Sequence, residues 1–337
     1  MAVYTQIDNP ELFFQAQLFS GNGTSASSTQ SITFDGDENL SPNLVWFKKR
    51  SGADDHELFD SVRGVQKALD PNNTNAEASG RGLTAFNSDG FTVGNGSSAG
   101  NQGATNENGH TFVTWNWKES ATSGFDIVSY AGNGSAAREL AHSLSATPHF
   151  IIVKNRDDAV DWFVYHQGMT DDYNNKLNTT DAEFGGAYIY DPTSSIFKLR
   201  DHNVVNDSGD DYIAYAWSEK QGFSKFSSFV GSGSSDGPFC FCGFKVAWLM
   251  IKRSSDGTNS WEIRDNKRDS FNTADDRLFA DLSNAEDSDN EGIDFLSNGF
   301  KIRNTGAGCN ASGVTYIYAA FSEAPLVNSK GVPCNAR

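Results

Sequence analysis

Short apolar stretches alternate with turn-forming stretches along the whole chain. Phe112–Trp117 and Tyr212–Trp217 carry bulky side chains at every second position, which is typical of strands with one buried face. Phe150–Val153 is instead continuously apolar, as expected for a strand that is buried on both faces. Glycine, asparagine and serine interrupt the windows that a helix would need, so we predict at most one helical turn, around the Ala-Glu pairs described below. The pattern therefore predicts an all-β protein.

The chain presents the same five motifs three times, in one order and with a period of about a hundred residues. A Gly-x-Gly turn is followed by an apolar run ending in lysine, an Ala-Glu pair, a turn that enters a strand, and an aromatic strand with an acidic end. The Gly-x-Gly turns are Gly21–Gly23, Gly132–Gly134 and Gly231–Gly233. The apolar runs are Leu44–Lys48, Phe150–Lys154 and Leu249–Lys252. The Ala-Glu pairs are Ala76-Glu77, Ala182-Glu183 and Ala285-Glu286. The last two motifs are Asp89–Phe91, Ser195–Phe197 and Asn298–Phe300, then Trp115–Glu119, Tyr215–Glu219 and Tyr318–Glu323. This order indicates a triplication.

A repeat of this length is large enough to bury a core of its own. We therefore predict three tandem small β-sandwich repeats of jelly-roll type, at residues 1–122, 123–222 and 223–337. The joints at Ser120–Gly124 and Lys220–Gly222 are too short to be flexible linkers, so we expect the repeats to pack against one another. The alternative is a single pseudo-threefold body of which the repeats are lobes.

Composition excludes several classes of partner. The chain has 43 acidic and 26 basic residues and a net charge of −17, which disfavours nucleic acid and anionic lipid. It has no apolar run long enough to span a membrane, and Met1–Gln6 has no features of a signal peptide. Four cysteines, all at or beyond Cys240, are too few for a disulfide framework, which suggests synthesis in a reducing cytoplasm.

Acidic doublets are the first candidates for chemistry, at Asp54-Asp55, Asp157-Asp158, Asp171-Asp172, Asp210-Asp211 and Asp275-Asp276. A glycosidase needs two carboxylates held across a sugar cleft, whereas adjacent strand residues point to opposite faces. We predict that these acids are solvated loop residues. Asp287–Gly292 resembles the first half of a calcium-binding loop, but the twelfth position is Asn298 instead of glutamate. We predict a polar turn there, and the sequence leaves open whether calcium binds in the acidic loops.

Other reactive residues do not form a recognisable constellation in the sequence. The six histidines lack metal-ligand spacing; they are His56, His110, His142, His149, His166 and His202. Cys240 and Cys242 are predicted to be buried, inert thiols on one strand face. No catalytic, cofactor-binding or metal-binding residue is therefore predicted, no cofactor is expected, and the ligand-binding residues are unknown.

Residues that recur in all copies are better explained by the fold than by three active sites. The lysines Lys48, Lys154 and Lys252 and the Ala-Glu pairs belong to this class. Asp60 and Arg63 recur as Asp265 and Arg268, while the middle copy has His166–Met169 there, so we predict structural ion pairs in the outer copies. Any functional site is expected in the loops that differ between copies.

The chain resembles a family of repeat-containing virion proteins of marine bacteriophages. The residues that carry the resemblance are Leu44–Arg50, Leu58–Gly64, Phe86–Phe91, Trp115–Lys118, Phe295–Phe300 and Tyr316–Phe321. The resemblance covers nearly the whole chain and implies a location more than a mechanism. Such proteins are usually labelled tail-fibre-like, sometimes with a lectin-like β-sandwich, and the resemblance supplies no catalytic residues.

The expected function is that of a non-enzymatic structural protein on the surface of a tailed bacteriophage virion, assembled in the host cytoplasm. Either a tail-fibre or receptor-binding component or a head decoration or vertex appendage fits this expectation. Expected partners are other capsid or tail proteins and a host surface glycan, with a homo-oligomer or several copies per particle. The alternative is a carbohydrate-binding module or a glycan depolymerase that acts on host polysaccharide. In that case tryptophans could serve as sugar platforms, but we predict that most of them are core residues; they are Trp46, Trp115, Trp117, Trp162, Trp217, Trp248 and Trp261.

Overall fold

A computed structural model describes residues 4–23, 28–94 and 103–334. Its regular structure is almost entirely antiparallel β, which confirms the predicted all-β class. Below, the N-terminal, middle and C-terminal segments are the described residues of 1–122, 123–222 and 223–337. Among the described residues, helical structure is confined to two short turns, a 3-10 turn at Pro10–Leu12 and α1 at Gly103–Asn106. The described Ala-Glu pairs are not helical, and the two short turns lie elsewhere in the chain.

The strands follow one another closely in each segment. The N-terminal segment contains β1 (Phe14–Ser20), β2 (Gln30–Ile32), β3 (Leu44–Lys49), β4 (Glu57–Asp60), β5 (Lys67–Ala68), β6 (Ala78–Ser79), β7 (Leu83–Phe86), β8 (Phe91–Val93) and β9 (Thr111–Trp117). The middle segment contains β10 (Phe125–Ala131), β11 (Arg138–Ala141), β12 (Phe150–Asn155), β13 (Phe163–His166), β14 (Tyr173–Lys176), β15 (Phe184–Gly185), β16 (Ile189–Tyr190), β17 (Ile196–Leu199) and β18 (Asp211–Trp217). The C-terminal segment contains β19 (Ser224–Val230), β20 (Phe239–Phe241), β21 (Phe244–Arg253), β22 (Glu262–Asp265), β23 (Ala274–Phe279), β24 (Asp287–Leu296), β25 (Gly299–Ile302) and β26 (Thr315–Pro325).

The order of the central strands is the same in all three segments. The first strand of each segment pairs with the last, the last with the third, and the third with the fourth: β1-β9-β3-β4, β10-β18-β12-β13 and β19-β26-β21-β22. A second group of strands is ordered β2-β8-β7 in the N-terminal segment and β11-β17-β16 in the middle segment. The corresponding strands β20, β25 and β24 join the main sheet of the C-terminal segment through β23.

Strand pairing also fixes which residues correspond between the segments. Trp117 pairs with Leu44, Trp217 with Phe150, and Phe321 with Trp248. Residues that occupy the same position in these ladders are called register-equivalent below. This correspondence rests on hydrogen-bonded pairing, and it allows the chemistry of the three segments to be compared position by position.

The third strand of each segment is buried on both faces. In the middle segment, Phe150 and Ile152 belong to one apolar cluster, whereas Ile151 and Val153 belong to another. This confirms the prediction for the continuous apolar run, because a strand between two apolar layers needs no polar face.

One of these apolar clusters contains residues from all three segments. Its members include Trp46 and Trp115, Ile152 and Trp217, and Trp248 and Phe321. Three further clusters lie within single segments. The main sheets therefore pack on a common core with one face and on a local core with the other. No helix in the described part of the chain has the length and apolar character needed to cross a membrane.

Candidate functional site

The Gly-x-Gly turns have a steric role in the fold. A Cβ atom on Gly21, Gly132 or Gly231 would lie 2.2, 1.7 or 2.2 Å from a backbone carbonyl oxygen. A buried asparagine caps each turn by accepting the N–H of its central residue; the asparagines are Asn106, Asn206 and Asn310. Only glycine allows this close approach, so these repeated residues are explained by the fold.

The three recurrent lysines connect neighbouring segments. Lys48 Nζ donates to the Ser283 carbonyl oxygen at 3.1 Å, so the N-terminal segment contacts the C-terminal one. Lys154 donates in the same way to Thr74 of the N-terminal segment at 3.2 Å. Lys252 donates to Thr180 of the middle segment at 2.8 Å. Each segment therefore contacts the preceding one, and the contact from the first to the last closes a ring. Burial lowers the pKa of all three ammonium groups to about 8.

The recurrent Ala-Glu pairs lie at the same three surfaces between segments, which we call seams. The backbone N–H of each glutamate donates across a seam, from Glu77 to Arg156, from Glu183 to Ser254 and from Glu286 to Arg50. Two of the carboxylates also bind across the seam, Glu77 to Arg156 at 2.9 Å and Glu286 to Arg50 at 2.7 Å. Glu183 faces Ser254 there and binds Thr170 of its own segment instead.

A further ring of contacts uses aromatic nitrogen donors. Trp162 Nε1 donates to the Asp70 carbonyl at 3.1 Å, and Trp261 Nε1 donates to the Lys176 carbonyl at 2.9 Å. At the register-equivalent position, His56 Nε2 lies 2.9 Å from the Phe279 carbonyl, and its Nδ1 accepts from an indole N–H. These partners fix the Nε2–H tautomer, and burial lowers the pKa of His56 well below its usual value. His56 is thus a neutral core histidine.

The predicted ion pairs of the outer segments are present and buried. Asp60 contacts Arg63 at 2.5 Å, and Asp265 contacts Arg268 at 2.6 Å. Each aspartate also accepts a hydrogen bond across a seam, from Tyr215 Oη at 2.7 Å and from Trp115 Nε1 at 3.0 Å respectively. The sequence did not reveal these seam partners, because they lie about 150 residues away along the chain.

In the middle segment His166 takes the register-equivalent position. Its Nε2 lies 2.9 Å from the Tyr318 carbonyl oxygen of the C-terminal segment, while its Nδ1 accepts the Gly168 N–H. Burial lowers the pKa of His166 to about 4. At this position the three seams therefore have the same strand geometry but different polar groups.

The acidic doublets are exposed or half-buried. The predicted loop position is wrong for Asp211, which begins β18, and for Asp275 and Asp276, which lie in β23. Asp275 and Asp276 approach Asp269, and one carboxylate oxygen of each lies within 4.8 Å of the others. Burial raises the pKa of Asp269. The sequence did not indicate this group because Asp269 is separated from the doublet. The structure also shows Asp287–Leu296 as strand β24, so the predicted polar turn is wrong; the side chains of residues 289–291 lie outside the described part of the structure.

Glu57 is a buried carboxylate that sequence reasoning missed. Its Oε1 lies 3.1 Å from Arg81, and its Oε2 has no hydrogen-bond partner among the described residues. Burial raises the pKa of Glu57 to about 8. The group can hold a proton at neutral pH, but only 1% of the residue is exposed. It is better explained as a core acid than as a general acid.

The remaining candidates from the sequence are core residues. Cys240 and Cys242 are buried free thiols, and desolvation raises the pKa of both, which confirms the predicted burial. All seven tryptophans are at most 4% exposed. This confirms their predicted core role and removes them as sugar platforms.

A cleft of about 360 Å³ lies at the seam between the N-terminal and C-terminal segments. Its lining includes Ala16, Ala247 and the buried hydroxyl of Ser322, which has no hydrogen-bond partner among the described residues. The residues register-equivalent to Ala16 are Ile127 and Phe226. Ile127 and Phe226 are buried and larger than Ala16, so this position carries a smaller side chain at the cleft than at the other two seams.

The middle segment has two clefts of its own. One, of about 450 Å³, is lined by the rings of Phe163, Phe184, Tyr188 and His202 together with Asp161, Lys176 and Asp181. The other, of about 460 Å³, is lined by Tyr165 and Tyr190 with the acids Asp171, Asp172 and Asp191. Each cleft includes a residue that differs from its register-equivalents in both outer segments, Phe163 in the first and His166 in the second.

The fold and these contacts define an all-β protein in which repeated polar residues hold three segments together and divergent residues line the clefts. The chain belongs to the family described as a domain of unknown function, DUF7483, whose model matches residues 9–325. No curated protein and no solved structure matches the chain.

Proposed function

We propose that this chain is a non-enzymatic structural protein on the surface of a tailed bacteriophage particle. The observation that carries the proposal is the use of the recurrent charged residues in contacts between segments. Lys48, Lys154 and Lys252 each bind a backbone carbonyl across a seam. A body stabilised in this way suits display on a particle, and the sequence resemblance to phage virion proteins supports the same role.

An exposed sheet edge supports attachment to another protein. Strand β20 ends its sheet, and Phe239 and Phe241 on it are 46% and 58% exposed. Edge strands with exposed apolar side chains are prone to pair with other chains. Such an edge suits a tail-fibre or receptor-binding component and a head decoration or vertex appendage equally.

The proposal is tested by mass spectrometry and immunogold labelling of purified particles. We expect the protein in the particle, with hundreds of copies for a lattice decoration and a few to tens for a tail or vertex component. Absence of the protein from purified particles would contradict the proposal.

A second candidate function is binding of carbohydrate. It is favoured by the aromatic cleft in the middle segment, where Phe184 and Tyr188 are half-buried beside acidic groups. Aromatic rings with a few polar groups are typical of small-molecule sites. A glycan array combined with a reducing-sugar assay on host polysaccharide tests this function. Binding without sugar release supports an adhesin, whereas turnover that is abolished by one acid substitution supports a depolymerase.

A further inference from the structure

We propose that the cleft lined by Phe163, Phe184, Tyr188 and His202 is a binding site for a neutral saccharide. This inference rests on the second candidate function and assigns it to one place in the chain. The ligand class follows from the arrangement of the rings, from the polar groups at the rim and from a comparison with the outer segments.

The aromatic rings form a continuous wall. The ring centroids of Phe163 and Tyr188 are 4.6 Å apart, and those of Phe163 and Phe184 are 5.6 Å apart. His202 meets Tyr188 edge-on at 5.0 Å. Phe163 is buried, whereas Phe184 and Tyr188 are half-buried and His202 is exposed. The wall therefore offers apolar ring surface to the C–H face of a sugar.

The polar groups supply both acceptors and donors for sugar hydroxyls. Lys176 Nζ lies 2.9 Å from an Asp161 carboxylate oxygen and 3.8 Å from Asp181. The same ammonium lies 5.7 Å from the centre of the Phe184 ring. Because Lys176 already occupies the cationic position beside these acids, a cationic ligand would have to compete with it. The two carboxylates disfavour an anionic ligand, so a neutral ligand fits best.

The outer segments build the same sheet without this aromatic wall. The residues register-equivalent to Phe163 are Glu57 and Glu262. Ile189, which follows Tyr188, is register-equivalent to Leu83 and Ile293. The residues that correspond to Tyr188 are therefore Gly82 and Gly292.

The outer segments have no space for a ring at these glycines. A Cβ on Gly82 would lie 1.9 Å from Thr105 Oγ1, and one on Gly292 would lie 2.5 Å from Thr273 Cβ. The fold therefore does not require an aromatic residue here, and the middle segment alone combines Tyr188 with an open cleft. The local core covers one side of these rings, and Lys176 and Arg200 lie over Phe184 and Tyr188. We infer that a ligand packs on the remaining ring surface that faces the cleft.

The test uses the full-length chain and four probes, D-glucose, D-galactose, D-mannose and N-acetyl-D-glucosamine. Saturation-transfer NMR and titration calorimetry are recorded for the wild type and for Phe184→Ala and Tyr188→Gly. Ala78 and Gly82 are the residues of the N-terminal segment at these two positions, so the backbone geometry of the fold is compatible with alanine and glycine there. We expect at least one probe to bind the wild type and both variants to bind it at least tenfold more weakly.

Two variants serve as matched controls. Tyr190→Ala alters the other cleft of the middle segment, and Phe241→Ala removes an exposed ring from the C-terminal segment. Both controls should retain wild-type affinity. Circular dichroism and thermal melts establish that each variant is folded, and Phe184→Ala carries the test alone if Tyr188→Gly does not fold.

The possible results distinguish a wrong location of the site from a wrong proposed function. Binding that survives Phe184→Ala and Tyr188→Gly but is lost in Tyr190→Ala would overturn this site while leaving carbohydrate binding in place. Absence of binding for all four sugars and for fragments of host polysaccharide would overturn both. Loss of affinity in the two cleft variants alone supports the assignment.

Discussion

The outer segments and the middle segment contact their neighbouring segments at the same position but with different polar groups. At one seam position the outer segments have the aspartates of buried ion pairs, Asp60–Arg63 and Asp265–Arg268, whereas the middle segment has the neutral His166. Each arrangement makes a hydrogen bond to the neighbouring segment. The comparison shows that the strand geometry sets the position of the contact, while the identity of the polar group can vary.

The largest expected effect is on the core that both kinds of segment share. Ile152 is 2% exposed and belongs to the cluster that includes residues of all three segments. Ile152→Asp removes buried apolar contacts and also places a carboxyl group without a partner in the core, and together these costs are of the same order as a domain's stability of about 5–15 kcal/mol. We expect Ile152→Asp to abolish the cooperative thermal transition of the whole chain by circular dichroism. Val65→Asp, at a residue that is 43% exposed, should melt like the wild type. Two outer segments that still melt normally in Ile152→Asp would argue against a shared core.

The next largest effect concerns the ion pairs that distinguish the outer segments. Arg63 has no exposed side-chain surface and binds Asp60 and Glu77. Arg63→Met leaves these acids without their buried partner, so we expect a loss of about 3–5 kcal/mol in the free energy of unfolding by urea. Arg253→Met removes an ion pair with the exposed Asp256 and should cost less than about 1 kcal/mol. Equal losses of unfolding free energy in the two variants would contradict the distinction between buried and exposed ion pairs.

The histidine of the middle segment predicts a dependence on acid pH. His166 has a pKa of about 4 in the fold and an ordinary value of 6.5. Between these values the unfolded chain binds the proton more readily, so stability is complete above pH 6.5 and falls as the pH drops to 4. The loss is at most about 3 kcal/mol. Urea unfolding of the wild type and His166→Gln at pH 7.0, 5.5 and 4.5 should show a shallower pH dependence in the variant. Parallel curves would mean that the pKa of His166 is not lowered in the folded state.

The smallest effect comes from the lysines, which are the same in all three segments. Each has a pKa of about 8 in the fold and an ordinary value of 10.5. Above pH 8 the folded state releases these protons first, so each lysine adds about 1 kcal/mol of stability between pH 7.5 and 9. The gain should be smaller by that amount in Lys154→Met. An unchanged gain in the variant would show that Lys154 keeps its ordinary pKa.

Sequence patterns were sufficient to predict the class of fold and to predict that the repeated residues have structural roles. The burial of Phe150–Val153 on both faces follows from its apolar side chains alone. The seam partners could not be predicted, because the carbonyl group that accepts from Lys48 belongs to Ser283, 235 residues further along the chain. The aromatic cleft was missed for a similar reason. Only the strand pairing shows that Tyr188 occupies a position where the outer segments have glycine.

The division into domains at 1–122, 123–222 and 223–337 stays a prediction. The common core and the ring of seam contacts lead us to infer that the three segments unfold as one body. An isolated middle segment would expose Phe150, Ile152 and Trp217, which the other segments cover in the intact chain. Loss of that burial would remove a large part of its apolar stabilisation.

Differential scanning calorimetry of the full-length chain tests this central claim most directly. A single cooperative body predicts one transition, in which the calorimetric enthalpy equals the van't Hoff enthalpy. Separate transitions, or a calorimetric enthalpy about three times the van't Hoff value, would contradict the account and establish three independent domains.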